Sequence, residues 1–489
     1  MKKLILGAFS LLLTISADAE VKLAKVFTNN MVLQQQKTLR VWGTADTGEK
    51  VTVRVGKQTA KAVADSLGKW SVELAPMKAS AKEVRFVVNG KSNKITLSNV
   101  LIGEVWLAGG QSNMEYSMAE HPKYCKPRKG DPDRLQKEYE SANNPMIRIM
   151  HVRKELKTDT LPSVGWQMID RQSLKPFSAP AYFFAKSLQD SLNVPVGIIH
   201  SSWGGTSIET WTPVEDYRYS TAFAKQMKGD KLTTTGETVG NRYKKMIEPM
   251  APFAIRGFLW YQGESNLIMG DYGIYTEKMK LLVNGWRKAF ADQSLAFYYA
   301  QISPYLYSAR KTDVDPKTWQ DLARFWEAQT HCLDVIPNTG MIVTTDIPED
   351  LSDIHPSYKW TVGERLALQA LNKTYGRTDL VCDGPMVNTV TLTDEHVVID
   401  FKNADGGLMT RDGKAADWFT VRTKWNRYVK TNVELKGNKA YIKRKDLSNP
   451  IEVRFGWDET AQPNLVNGAG LPAVPFRWII TPPVKNVKK

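Results

Sequence analysis

One change of rhythm along the chain limits its possible folds more than any other feature. Between about residues 100 and 374, near-continuous apolar runs (Val105 to Ala108, Val194 to Ile199, Ile255 to Tyr261, Leu295 to Ile302, Met341 to Thr344) alternate with segments of helical period. These segments are Tyr275 to Phe290, Trp319 to Leu333 and Lys359 to Leu371. Unbroken apolar runs suit strands buried on both faces, and strands alternating with helices imply a parallel sheet covered on both sides.

The flanks read differently. From Val21 to about Asn99, short β-type runs such as Leu39 to Trp42, Lys50 to Val55, Lys69 to Leu74 and Val84 to Val88 are separated by turn clusters like Asp46-Thr47-Gly48 and Asn89-Gly90. After Tyr375 short strands return, among them Thr389 to Leu392, Val397 to Phe401, Trp418 to Val421, Asn432 to Leu435 and Ile451 to Gly456. The expected division is an N-terminal β domain over residues 20–99, an α/β domain over 100–375 and a C-terminal β domain over 376–489. Glu115 to Asn144, rich in Pro, Gly and charge, reads as a long loop near the first buried strand.

Met1-Lys2-Lys3, the apolar run Leu4 to Ile15 and Ala17-Asp18-Ala19 form a basic head, a greasy middle and a small-x-small cleavage site. Residues 1–19 are thus expected to be a cleavable export signal, placing the mature chain in the periplasm or outside the cell. No later stretch is apolar enough to span a bilayer. The formal charge is +15; residues 1–19 carry Lys2, Lys3 and Asp18, a net +1, which leaves +14. The Lys and Arg residues are scattered rather than gathered in one run, so the charge describes either a solvated surface or a general field favouring acidic ligands, with no nucleic-acid motif behind it. Cys125, Cys332 and Cys382 show no metal spacing; at most one disulfide is compatible with three cysteines.

In a parallel α/β sheet, ligands bind beyond the carboxyl ends of the strands. Four such ends carry unusual residues. Val105-Trp106-Leu107-Ala108 runs into Gly109-Gly110-Gln111-Ser112-Asn113-Met114, where two glycines permit a sharp turn exposing a serine at a helix start. An ordinary N-capping turn has the same composition. His200-Ser201-Ser202-Trp203-Gly204-Gly205-Thr206 frees backbone N–H groups to face a ligand. Trp260-Tyr261-Gln262-Gly263-Glu264-Ser265-Asn266 crowds amides and a carboxylate at a buried strand end, where they need partners or a function. Asp353-Ile354-His355-Pro356 offers one of only six histidines as a base.

In this order the blocks resemble those of the sialate O-acetylesterase family, a branch of the SGNH hydrolases related to the acetylxylan esterases. Ile102-Gly103-Glu104-Val105-Trp106 leading into Gly110 to Met114 is similar to the family's nucleophile block. Asn30 to Gln34, Val41-Trp42-Gly43 and Gly68-Lys69-Trp70 resemble its N-terminal β domain, and Pro475-Phe476-Arg477 its C-terminal end. The resemblance implies an SGNH-type three-layer α/β/α core flanked by all-β domains. It also implies a serine esterase that removes acetyl groups from sugars, with an acetylated sialic acid as first substrate and acetylxylan as rival.

Under that resemblance Ser112 is the nucleophile and His355 its base. The N–H groups of Ser112 and Gly205 and the amide of Gln262 hold the oxyanion, while Gln111, Asn113, Trp203, Glu264 and Asn266 are candidate substrate contacts. No metal or organic cofactor is required. Two departures from the wider SGNH pattern stand. The third block offers Gln262 first and Asn266 only later where an asparagine donor is usual. The position three before the histidine is Ser352, so either the Asp353 carboxylate or its main-chain carbonyl orients His355, the latter leaving a Ser-His dyad. Glu264 either meets substrate hydroxyls or holds its loop, and Trp203, Trp211 and Trp260 either stack on sugar or pack in the core. A non-catalytic glycan-binding protein is the reading from another class.

Overall fold

A computed structural model describes residues 20–120, 127–128, 130–310 and 318–480. The expected export signal and Cys125 lie outside them. Cys332 and Cys382 are buried free thiols.

The chain has a mixed α/β fold. Its central sheet runs in the order Ser163–Met168, Ile147–Val152, Val196–Ser202, Lys94–Gly110, Gly257–Tyr261, Ala296–Ala300, Thr339–Ile342. All neighbours are parallel except the antiparallel edge strand Ser163–Met168. Val105, Trp106, Leu107 and Ala108 are fully buried, as strands covered on both faces require.

Alternate residues of the Lys94–Gly110 strand face opposite layers. Trp106 meets Phe184 of the helix Ala179–Leu192, which packs on the helix Lys359–Lys373. Gly109 lies under Trp286 of the helix Tyr275–Ala289, which packs on Asp321–Val335. These two helix pairs cover the two faces.

Lys94–Gly110 is 17 residues long and crosses the border expected at residue 99. Its first half pairs antiparallel with Ser80–Asn89, and its middle pairs parallel with Val32–Gln34. One apolar core accordingly runs from Val21 to Leu371 and takes in Trp457, Ala461 and Val474 from the C-terminal part. A separate cluster sits between two four-stranded C-terminal sheets, one holding Met386–Leu392 and His396–Lys402, the other Phe419–Thr423 and Pro450–Phe455. The segment read as a long loop after Glu115 contains a helix, Arg134–Glu140. Among the described residues no helix is long and apolar enough to cross a membrane.

Candidate active site

Ser112 stands where the first parallel strand turns into the helix Ser112–Glu115. The turn demands glycine at 110. There φ is +141°, and a Cβ would fall 2.2 Å from the Tyr261 carbonyl oxygen. Neighbouring strand ends pin it from both sides: Gln111 N–H donates to Tyr261 O (3.0 Å) and Trp203 N–H to Gly110 O (3.1 Å). Ser112 is half-buried between the buried Gln111 and Asn113. As the first helical residue its N–H has no intrahelical acceptor.

The loop after Val196–Ser202 comes down beside it. A Cβ on Gly204 would lie 3.2 Å from Ser112 Cβ, so only glycine comes this close without displacing the serine. Gly204 N–H is committed to Glu115 Oε2 at 2.6 Å. Gly205, exposed and at φ +72°, has open space where a side chain would stand.

His355 arrives from the far edge of the sheet. Its loop follows Thr339–Ile342 and must recross the strands Ala296–Ala300 and Gly257–Tyr261 to reach Ser112. Asn113 secures that crossing by donating from Nδ2 to the Ile354 carbonyl at 3.1 Å. Asp353 Oδ1 accepts the His355 backbone N–H at 2.8 Å and lies 3.5 Å from its Nδ1. The imidazole is 17% exposed.

Beneath lies a buried chain of contacts whose lysine the sequence reading did not single out as a site residue. Lys359, wholly buried, donates from Nζ to Asn113 Oδ1 at 2.5 Å, and Asn113 Nδ2 donates to Glu264 Oε1 at 2.5 Å. Burial pulls the Lys359 ammonium down to about 7, against the attraction of Glu264 and Asp353. Burial also pushes the Glu264 carboxyl up, opposed by its Asn113 bond and by the nearby His355 and Lys359. The ammonium further sits 4.8 Å from the Tyr116 ring centre. The available signal was a lysine opening an apolar-faced helix four residues after the candidate base.

Four residues expected to touch substrate are instead walled in: Gln111 is 3% exposed, Asn113 0%, Glu264 1% and Asn266 0%. Their polar groups hold other protein groups. Gln111 Oε1 accepts from the N–H groups of Gly263 and Ser265 and from Gln262 Nε2. Gln262, also fully buried, directs Nε2 to Gln111 Oε1, Thr206 O and Asn266 Oδ1, while its Oε1 accepts from Tyr275. With two N–H groups facing three protein acceptors, this amide lies behind the serine turn. Asn266 Nδ2 in turn donates to Glu209 and Asp271, both paired with the buried Lys278. Glu209, Asp271 and Lys278 were not singled out in the sequence, because Glu209 comes from a segment 69 residues before Lys278 and no motif connects the three.

Trp203 is half-buried, its ring 4.9 Å from the Arg242 guanidinium, and stays available at the site's edge. Trp211 and Trp260 are fully buried and pack edge to face at 6.3 Å, which assigns them to the core. Among the described residues no cluster of three or more His, Cys, Asp or Glu is arranged to hold a metal ion.

Residues 102–372 match the family described as carbohydrate esterase, sialic acid-specific acetylesterase. Human sialate O-acetylesterase is 29% identical over 407 residues, covering 77% of this chain and 75% of its own. The mouse enzyme of that name is 28% identical over 431 residues, covering 77% and 78%. A solved carbohydrate acetylesterase from Xanthomonas citri superposes with a TM-score of 0.82 at 29% identity, covering 94% of this chain and 99% of the other.

Proposed function

Since the chain belongs to the sialic acid-specific acetylesterase family of carbohydrate esterases, and is a carbohydrate O-acetylesterase hydrolysing O-acetyl esters on sugars, we propose that it works through an acetyl-Ser112 intermediate. The observation that carries this reading is Asn113, which follows the serine in sequence and hydrogen-bonds the carbonyl preceding His355.

Ser112 Oγ attacks the acetyl carbonyl carbon as His355 takes the hydroxyl proton. The tetrahedral oxygen is held by the N–H groups of Ser112 and Gly205, each donor supplying about 2.7–4 kcal/mol of barrier lowering. His355 returns the proton to the sugar oxygen as the carbon–oxygen bond breaks. Water, deprotonated by His355, then attacks the acetyl-serine and releases acetate. Asp353 orients the imidazole through its carboxylate, which makes a triad. Gln262, first expected as a third oxyanion donor, acts from behind by holding Gln111 and Asn266.

The substrate is an O-acetylated sialic acid. The family description and the human and mouse relatives support this, and a chain of formal charge +15 suits a carboxylate-bearing sugar. The alternative substrate is an acetylated polysaccharide such as xylan; the likeness to the X. citri carbohydrate acetylesterase, which extends over nearly the whole length of both chains, fits either sugar. Residues 1–19 serve as an export signal, and the β-rich segments on either side of the catalytic domain brace it.

Acetate release from an aryl acetate, O-acetylated sialic acids and acetylxylan, compared between wild type and Ser112→Ala, tests the reading. Turnover lost in the variant supports it, and the preferred sugar identifies the substrate. Turnover that survives in the variant overturns the serine mechanism. No release from any of the three esters favours a glycan-binding protein.

A further inference from the structure

A cavity of about 690 Å³ opens between the C-terminal sheet and the segment that carries Trp319. Its walls include Trp319, Trp418, Tyr428 and Trp457, a density of aromatic rings that elsewhere in this chain occurs in the core. Two of these rings are reachable: Trp319 is 47% exposed and Tyr428 41%. Apolar surface left in water on a concave wall is unfavourable unless something covers it.

We propose that this cavity is a second glycan subsite, which takes one pyranose ring of a substrate chain away from the acetyl group being removed. The proposal rests on the chain's action on sugars. A pyranose has flat C–H faces rimmed by hydroxyls, so its site needs aromatic faces together with hydrogen-bonding groups, the mixture of a small-molecule pocket. Trp319 and Tyr428 offer the faces. The exposed Asp417, Lys430 and Asn432 put hydrogen-bonding groups on the same wall.

The rings are also held in place. The Arg454 guanidinium lies 4.4 Å from the Tyr428 ring centre and 5.5 Å from that of Trp457, and Glu452 anchors it from below. Trp418 is kept at φ +61°, a backbone region that bulky side chains avoid. A wall ordered before binding loses less conformational freedom when the ligand arrives.

The test uses the full chain and two polymers stripped of acetyl groups, xylan and sialylated mucin, measured by affinity electrophoresis and titration calorimetry. Wild type is expected to bind at least one saturably. Trp319→Ala and Tyr428→Ala are each expected to weaken that binding about tenfold, with aryl acetate turnover and thermal midpoint unchanged, and Trp319→Phe to restore most of it. Which polymer binds separates a xylose-type from a sialylated ligand. The proposal is overturned if neither polymer binds wild type, or if the alanine variants bind as wild type does. If the polymers bind through Trp319 while no acetyl ester is turned over, the esterase reading has failed and the subsite stands.

Discussion

Asn113 joins the two candidate catalytic loops through both ends of one side chain: Oδ1 accepts from Lys359 at 2.5 Å, and Nδ2 reaches both the Ile354 carbonyl and Glu264. An amide is suited to this position because it presents an acceptor and a two-hydrogen donor in one plane. Asn113→Ala removes all three bonds and deprives the Lys359 ammonium of this hydrogen-bond acceptor. Small misplacements of reacting groups cost on the order of 100-fold, so kcat on an aryl acetate is expected to fall about that far with KM little changed. An unaltered kcat would detach the bridge from catalysis.

Lys359 makes stability depend on pH in a calculable direction. Its folded value of about 7 lies below the unfolded value of about 10.4, so between those limits the unfolded chain binds more protons. This group's contribution therefore rises with pH across that window, by up to about 1.4 kcal/mol per unit, and is flat below it. Urea unfolding of wild type and Lys359→Met at pH 7 and 9 is expected to show wild type gaining on the variant at the higher pH. Parallel changes in the two proteins would refute the assignment.

Asp353 accepts the His355 backbone N–H and lies 3.5 Å from the ring nitrogen. If the carboxylate orients and stabilises the imidazolium, Asp353→Asn lowers kcat by about 100-fold or more with KM preserved. A loss below about threefold would mean that the carboxylate does not act on the base.

The Lys278 ammonium lies between the buried Glu209 and Asp271 and places one positive charge against two carboxyl groups. Burial already pushes the Asp271 carboxyl up. Lys278→Met leaves two carboxylates without their cation and is expected to cost about 3–5 kcal/mol in unfolding free energy, read by denaturant titration. A loss under 1 kcal/mol would show that the pair relaxes into water.

Much of this arrangement was readable from sequence because parallel strands buried on both faces leave an uninterrupted apolar signature. Val105 to Ala108 and Ile255 to Tyr261 lead into polar blocks where the structure has strand ends. Boundaries were less legible: the last strand is Thr339–Ile342 rather than Met341 to Thr344, since an apolar run records burial and not hydrogen bonding. The residues behind the site were least legible. Gln262 and Asn266 stood out as polar groups at a strand end, but whether such a group faces substrate or protein depends on partners such as Tyr275 and Glu209, which sequence does not place. Lys359 was visible only as the start of a helix.

The strand Lys94–Gly110 begins among the N-terminal strands and ends two residues before Ser112. This part of the protein therefore has no seam at which recombination or truncation could detach the leading strands and leave the serine's support intact. A shift of even one residue in their register would travel along a single backbone to the nucleophile.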